Sequence, residues 1–202
     1  MKISAPIFLL VIVLGGCVSG PSWTHRTFAF SVPADPPAAE ARTNIVALNR
    51  VTISPLFQSR SFIYRTADNS YERDPYAGFL IPPERSLAEA IRGLMREAGA
   101  FGHVVDLGSG LRPNLIAEVS INELCGDFRN AAKPLGSMQI HFVCYELSDG
   151  FPGRVVVDRF CAHETALTAK TPSALMAAWD ADLRDIMNEV VAEYKKANSN
   201  SL

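Results

Sequence analysis

Runs of alternating apolar and polar residues predict β-strands along most of the chain. The clearest is 114–128, which begins with Leu115, Ala117, Val119 and Ile121 in alternation with Glu118, Ser120 and Asn122, the period of a strand with one buried face. Two further apolar runs, 138–147 and 154–167, follow it, and Asp149-Gly150 between them is typical of a hairpin turn. These three runs predict an antiparallel meander.

Four shorter strands are predicted before the meander. The segment 45–53 is rich in β-branched residues and ends at Pro55, which indicates a first strand. Segments 61–65 and 69–73 flank a turn-like break and predict a hairpin. A fourth short strand is predicted at 103–107.

Two segments have the helical period instead. In 84–98 apolar residues recur at i, i+4 and i+7, and Gly99 is placed to cap the C terminus. In 172–195, Thr171 is an N-cap followed by proline, and six apolar side chains form one stripe: Leu175, Trp179, Leu183, Ile186, Val190 and Tyr194. Because each helix and the sheet have one apolar face to bury, we expect an α+β fold in which an antiparallel sheet packs against two amphipathic helices in two layers.

The N terminus has a different pattern. Lys2 is followed by an apolar run, 3–14, which fits a secretory signal and is too short to span a bilayer. The sequence Leu-Gly-Gly-Cys at 14–17 is similar to the lipobox of bacterial lipoproteins, in which the thiol carries the lipid. We therefore expect residues 1–16 to be removed as a signal peptide and Cys17 to carry diacylglycerol and palmitate, which anchor the chain without a membrane span.

The sequence after Cys17 predicts where the protein lies and how it is divided. Val18 stands where lipoproteins retained at the inner membrane carry aspartate, so the expected location is the periplasmic face of the outer membrane. Residues 17–43 are interpreted as the lipidated N terminus and a Pro/Ala-rich tether. Trp23, Phe28 and Phe30 leave open the alternative that part of this arm is an edge strand. We expect the rest of the chain to form a single periplasmic domain at 44–197 and a disordered tail at 198–202.

Composition narrows the function classes. The chain has 19 Lys and Arg against 21 Asp and Glu, and because no basic block is present, nucleic acid is not an expected partner.

The predicted domain contains an odd number of cysteines in an oxidising compartment: Cys125, Cys144 and Cys161. Their apolar surroundings favour three buried thiols, and one disulfide remains the alternative.

The sequence predicts neither a catalytic site nor a cofactor or metal site. The glycine-rich segment 104–110 is similar to a methyltransferase loop, but a strand pattern follows it instead of the required helix. His141 and His163 lie near cysteines without a spacing that pairs metal ligands. The chain also lacks the nucleophile elbow of hydrolases. If this protein were a hydrolase, its catalytic residues would have to be distant in sequence and brought together by the fold.

The hairpin segment has the chemistry of an interaction surface. Charged and aromatic side chains accumulate at 60–76, and exposed aromatic and Arg residues favour protein contacts, although a solvated hairpin with cross-strand ion pairs and core packing are the alternatives. The candidate partner-binding residues are Phe62, Tyr64, Arg65, Tyr71 and Arg73.

The same segment carries a family resemblance. Ser-Arg-Ser-Phe-Ile-Tyr-Arg-Thr at 59–66, Tyr-Glu-Arg-Asp-Pro-Tyr at 71–76 and the break at Pro82-Pro83 before a helix resemble the ABC-type transport auxiliary lipoprotein family. The resemblance covers most of 45–195, with Tyr64-Arg65 as its most specific match, and the three cysteines of the domain depart from it.

The resemblance implies a non-catalytic outer-membrane component of a lipid transport system. In such systems a permease and an ATPase at the inner membrane work with a mammalian-cell-entry-domain protein that bridges the periplasm. That protein is the implied partner, alongside the membrane itself, and self-association as a homo-oligomer is left open. A structural lipoprotein that supports outer-membrane assembly or the envelope has the same anchor and composition and remains the alternative.

Overall fold

The computed structural model describes residues 25–34, 44–148 and 151–199. These residues form one sheet of eight strands packed against two helices, which confirms the predicted α+β class. The strands are β1 (Arg26–Phe28), β2 (Ile45–Ile53), β3 (Ser61–Ala67), β4 (Ser70–Phe79), β5 (His103–Asp106), β6 (Leu115–Asp127), β7 (Leu135–Ser148) and β8 (Phe151–Ala166), and the helices are α1 (Pro83–Glu97) and α2 (Pro172–Ser199).

All of the predicted strands and helices are present, with shifts at some ends. Strand β4 continues past Arg73 to Phe79, and α2 continues past Lys195 to Ser199. Of the predicted tail, residues 198 and 199 are therefore helical, and 200–202 lie outside the described residues. No helix in the described part of the chain is long and apolar enough to cross a membrane.

Strand β6 is the centre of the sheet. Along one edge it pairs antiparallel with β7 over its whole length, and β7 pairs in the same way with β8, which confirms the meander. Its other edge is shared end to end by two strands, because β2 pairs with 115–121 and β3 pairs with 126–127. Strand β5 extends the sheet from β2, and β4 and β1 extend it from β3.

The sheet is mixed, whereas the sequence analysis expected an antiparallel one. Strands β2 and β3 run parallel to β6, β5 runs parallel to β2, and β1 runs parallel to β4. Between β2 and β3 the chain makes only the short 3-10 turn Pro55–Phe57 and keeps its direction. Apolar periodicity shows which residues form strands, but it does not show the direction in which strands distant in sequence meet.

The helices cover one face of the sheet, which we call the covered face. Trp179 on α2 is fully buried there, with its ring 4.9 Å from that of Phe62 and 5.7 Å from that of Phe79. Its indole nitrogen donates a hydrogen bond of 3.1 Å to the carbonyl of Cys125. The apolar stripe predicted for α2 is buried along its whole length, and Thr171 Oγ1 caps the helix by accepting from the backbone nitrogen of Ala174 at 3.2 Å.

The opposite face, which we call the outer face, is largely polar, and its side chains pair across strands. The imidazole of His141 lies 2.7 Å from the carboxylate of Asp158. The hydroxyls of Thr52 and Ser120 are 3.3 Å apart. These contacts satisfy polar groups of a face that is turned away from both helices.

The N-terminal arm, residues 25–34, lies against the domain. Strand β1 pairs with β4 at the edge of the sheet, so the edge-strand alternative holds for Arg26–Phe28. Phe30 is buried, and the backbone nitrogen and hydroxyl of Ser31 donate to the carboxylate of Asp180 on α2 at 3.0 and 2.8 Å. Residues 1–24, with the signal peptide and Cys17, and residues 35–43 of the predicted tether lie outside the described residues.

Candidate functional site on the β3–β4 hairpin

The pleat of the hairpin separates the five predicted partner-binding residues. Directly opposed residues of an antiparallel pair share a face, and Arg65 lies opposite Tyr71. Arg73, two positions further along β4, is on the same face. These three side chains belong to the outer face, whereas Phe62 and Tyr64 point to the covered face.

Phe62 is a core residue. It is fully buried, and its ring lies 4.9 Å from those of both Phe79 and Trp179 and 5.3 Å from that of Phe28. It therefore has no part in a partner-binding surface, which corrects its inclusion among the candidate residues. The sequence shows the alternation of the hairpin, but which face the helices cover depends on α2, more than 100 positions later in the chain.

Tyr64 lines a groove of about 330 Å³ between the hairpin and the start of α2. Its ring packs edge-on against Phe128 at 5.1 Å, and its hydroxyl donates a 2.6 Å hydrogen bond to Asp74. Burial, and then the bond to Asp74, raise the pKa of Tyr64, so the phenol stays protonated. The other groove residues are Thr66, Glu72, Lys170, Thr171 and Pro172. Tyr64 is thus a fixed wall of the groove.

The outer face of the hairpin presents a group that we call the Arg–Tyr surface, formed by the half-buried residues Arg65 and Tyr71 and by Arg73. The guanidinium carbon of Arg65 lies 5.9 Å from the centre of the Tyr71 ring, a cation–π distance, and its Nη2 donates to the carbonyl of Asp68 at 3.1 Å. Tyr71 also packs edge-on against Phe57 at 6.1 Å. Arg73 is exposed. The surface therefore combines two cationic side chains with an aromatic ring that packs against Phe57.

An ion network holds the tip of the hairpin in place. Arg129, just after β6, binds the carboxylate of Asp127 through its Nε at 2.9 Å and the carboxylate of Asp68 through its Nη1 at 3.1 Å. Hydrogen bonding from Arg129 lowers the pKa of Asp127 despite its burial. Because Asp68 lies in the hairpin turn, the network ties the turn to the centre of the sheet and keeps the Arg–Tyr surface in one geometry.

Sequence reasoning missed Phe57, Asp127 and Arg129, which support this surface. Phe57 and Arg129 are distant in sequence from the hairpin residues that they contact, and an Asp-x-Arg sequence at the end of a strand is too common to point to a site. Cys17, the predicted lipidation site, lies outside the described residues.

A second cluster of titratable groups lies between β8 and α2. Glu189 accepts from Arg159 at 2.6 Å, contacts the imidazole of His163 at 2.8 Å and accepts from the thiol of Cys161 at 3.6 Å. The bonds from Arg159 and His163 lower the pKa of Glu189, and burial raises that of Cys161. Because burial favours the protonated thiol and its hydrogen bond goes to a carboxylate, this arrangement does not activate Cys161 as a nucleophile.

The three cysteines of the domain are free and buried, as the sequence favoured over one disulfide. Burial raises the pKa of Cys144 to about 12, so its thiol stays protonated. Within the described ranges, no group of three His, Cys, Asp or Glu side chains is arranged to hold a metal ion.

Comparisons with known proteins bear on the fold. No protein-family model and no curated protein matches the sequence. Among solved structures, protein XCC0632 from Xanthomonas campestris, of the DUF330 family, is 14% identical and superposes with a TM-score of 0.66 over 86% of this chain and 95% of its own. An uncharacterized protein, 9% identical, superposes with a TM-score of 0.66 over 84% of this chain and 98% of its own. At these identities the comparisons show a shared fold.

Proposed function

We propose that this chain is a non-catalytic lipoprotein, acylated at Cys17, that serves as the auxiliary component of an ABC-type lipid transport system. It is held at the periplasmic face of the outer membrane and binds the mammalian-cell-entry-domain protein that bridges the periplasm. Three observations support the proposal: the lipobox at 14–17, the order of residues at 59–76, and a fold shared with a DUF330 protein.

The proposed partner-binding site is the Arg–Tyr surface, and it is the main structural observation that supports the proposal. It lies in the segment on which the family resemblance rests, and the network of Arg129 with Asp68 and Asp127 fixes its support. Arg and Tyr are enriched among residues that dominate binding energy, and truncating such a residue costs about 2 kcal/mol or more. A preformed surface also loses less conformational entropy on binding. The two guanidinium groups favour a partner surface that carries carboxylates.

The experiment is co-purification of the tagged, full-length lipoprotein from a detergent extract of its own bacterium. We expect a mammalian-cell-entry-domain protein to co-purify with the wild-type chain. A double substitution, Arg65→Ala with Arg73→Glu, should weaken the binding of the purified pair at least about 30-fold, the equivalent of about 2 kcal/mol. Arg112→Glu is the matched control, since Arg112 is exposed and lies in the loop between β5 and β6.

Each alternative has its own outcome. If no mammalian-cell-entry-domain protein co-purifies with the wild type, the proposed function is wrong, and an outer-membrane barrel or cell-wall protein in its place would indicate a structural lipoprotein. If the double variant folds and binds as tightly as the wild type, the interface lies elsewhere. Anchoring is checked separately, because labelled palmitate should enter the wild-type chain and not Cys17→Ser.

A further inference from the structure

Three exposed apolar residues lie close together in sequence at the C-terminal end of β4, and we call them the arm-side patch. It consists of Tyr76, Leu80 and Ile81, which are 45%, 55% and 39% exposed. Tyr76 and Leu80 flank the buried residues Ala77 and Phe79, and Ile81 follows Leu80 after the end of β4. Such a concentration of exposed apolar residues at one end of a strand makes this end a candidate contact surface.

The N-terminal arm joins the sheet beside this patch. In the parallel pairing of β1 with β4, Arg26 is the register partner of Ala77 and Phe28 that of Phe79. The backbone nitrogen of Leu80 donates to the carbonyl of Phe28 at 2.7 Å. The chain that comes from Cys17 therefore reaches the domain at the edge that carries the arm-side patch.

The length of that connection limits the orientation of the domain. His25, the first described residue, is eight positions after Cys17, and a chain spans at most about 3.6 Å per residue, or about 29 Å here. A domain of roughly 160 residues is about 40 Å across. Because the connection is shorter than the domain, β1 lies within about 29 Å of the membrane that holds Cys17, which favours orientations in which the edge formed by β1 and β4 faces that membrane.

The chemistry of the patch suits the boundary between lipid headgroups and acyl chains. Tyr76 has an apolar ring with a polar tip, the property that places tyrosine at membrane interfaces. At the same depth, the apolar side chains of Leu80 and Ile81 can be buried among the lipids. Arg26 and Arg60 are exposed beside it, and Arg60 Nε donates to the carbonyl of Phe79 at 3.2 Å. Two cations in this position favour anionic headgroups.

We propose that the arm-side patch rests on the lipid headgroups of the anchoring membrane and orients the domain. Three apolar side chains are too few to hold the domain on a membrane by themselves. Because the acyl chains of Cys17 already hold the protein at the membrane, the patch is at a high effective concentration near the lipid and can insert. In the pairing of β3 with β4, Tyr71 lies opposite Arg65 and Gly78 lies opposite Ser61, four β3 residues or about 13 Å apart, so this orientation holds the Arg–Tyr surface at the end of the hairpin that is farther from the membrane. The inference rests on the acylation of Cys17 included in the proposed function.

The test uses the full-length acylated protein in vesicles of phosphatidylethanolamine and phosphatidylglycerol that contain a phospholipid with a photoreactive diazirine near the headgroup. After illumination, mass spectrometry of peptides should place most cross-links at 25–28 and 76–81. The double substitution Leu80→Ser with Ile81→Ser should lower labelling of these segments several-fold while the protein still floats with the vesicles. Leu107→Ser with Leu111→Ser is the matched control, since these leucines are 57% and 48% exposed in the loop after β5, and it should leave the labelling unchanged.

Several outcomes overturn the inference. It is wrong if labelling is spread evenly, if it centres on the 107–111 loop or the hairpin tip, or if the patch variant is labelled like the wild type. If the wild-type protein does not float with the vesicles, it is not anchored in them, and the inference is wrong. If the patch variant keeps its labelling and instead loses the mammalian-cell-entry-domain protein, the patch is a protein contact. If the wild type shows the expected labelling and captures no such protein, the proposed function fails and the inference stands.

Discussion

The two faces of the sheet differ in what their side chains contribute. On the covered face, large apolar groups such as Trp179 and Phe62 contact one another in full burial, and few polar groups interrupt them. On the outer face, pairs such as His141 with Asp158 stay partly in water. Burial of apolar area provides most of the favourable free energy of folding, whereas exposed ion pairs contribute little. The covered face therefore contributes most of the stability, and the exposed positions of the outer face can vary and carry recognition.

The largest expected effect is that of Trp179→Ala. The substitution removes the ring that contacts Phe62 and Phe79 and leaves the carbonyl of Cys125 without its donor. We expect the free energy of unfolding to fall by about 3–5 kcal/mol, the range for truncating a buried aromatic residue. Urea denaturation followed by circular dichroism measures it. Trp179→Phe keeps a ring in place and should lose less, and an unchanged midpoint for the alanine variant would contradict the contrast between the faces.

Gly126→Ala tests how closely the covered face is packed. An added Cβ would lie 2.9 Å from Phe128, 3.0 Å from Tyr64 and 3.1 Å from a methyl group of Leu175. We expect a loss of about 1–3 kcal/mol from overpacking, measured by the same denaturation. The outer-face substitution Ser120→Ala is the comparison and should change stability by less than about 0.5 kcal/mol. Equal effects of the two would show that this contact is loose.

Asp182→Asn tests a polar exception on the covered face. Asp182 is fully buried, one of its carboxylate oxygens accepts from Thr165 at 2.6 Å, and the other has no hydrogen-bond partner. Burial raises the pKa of Asp182 from 3.8 to about 6. Between about pH 4 and pH 6 the folded state therefore binds a proton that the unfolded state has released, so stability falls as pH rises through this window.

The variant should lose that pH dependence. At pH 7.5, where the wild type contains a buried charge, we expect Asp182→Asn to be about 1–2 kcal/mol more stable, because one pKa unit corresponds to about 1.4 kcal/mol and the new amide offsets part of the gain. At pH 4 the advantage should be absent. Thermal unfolding at both pH values measures the difference, and a variant that is less stable at pH 7.5 would refute the assignment.

The smallest effect is expected for His141→Ala on the outer face. The imidazole and the carboxylate of Asp158 are both well exposed, so their pairing should contribute no more than about 1 kcal/mol. Double-mutant cycles with Asp158→Ala would measure the coupling between the two side chains. A coupling of several kcal/mol would mean that the outer face also stabilises the fold.

The sequence was sufficient for features that depend on local pattern. The meander of β6 to β8, both helices and the hairpin follow from periodicity, turn residues and caps within one segment each. The parallel pairing of β2 and β3 with β6 could not be predicted, because Val46 meets Leu115 and Tyr64 meets Gly126 only in the folded chain. For the same reason, the sequence named the hairpin but did not separate Phe62 in the core from Arg65 on the surface, and it missed the support from Arg129.

The position of β6 also has a consequence for the order of folding. Strands β2 and β3 both precede it in the chain, and each pairs with a segment that is synthesised 60 to 70 residues later. Until β6 is available, the β3–β4 hairpin is an isolated two-stranded unit, which is marginal in water, and the apolar face of β2 lacks its main neighbour. If the chain is exported N terminus first, as the proposed function requires, it exposes these strands until residue 127 has emerged. Holdase chaperones that bind extended apolar segments should accordingly associate with this protein during export and release it once the central strand is in place.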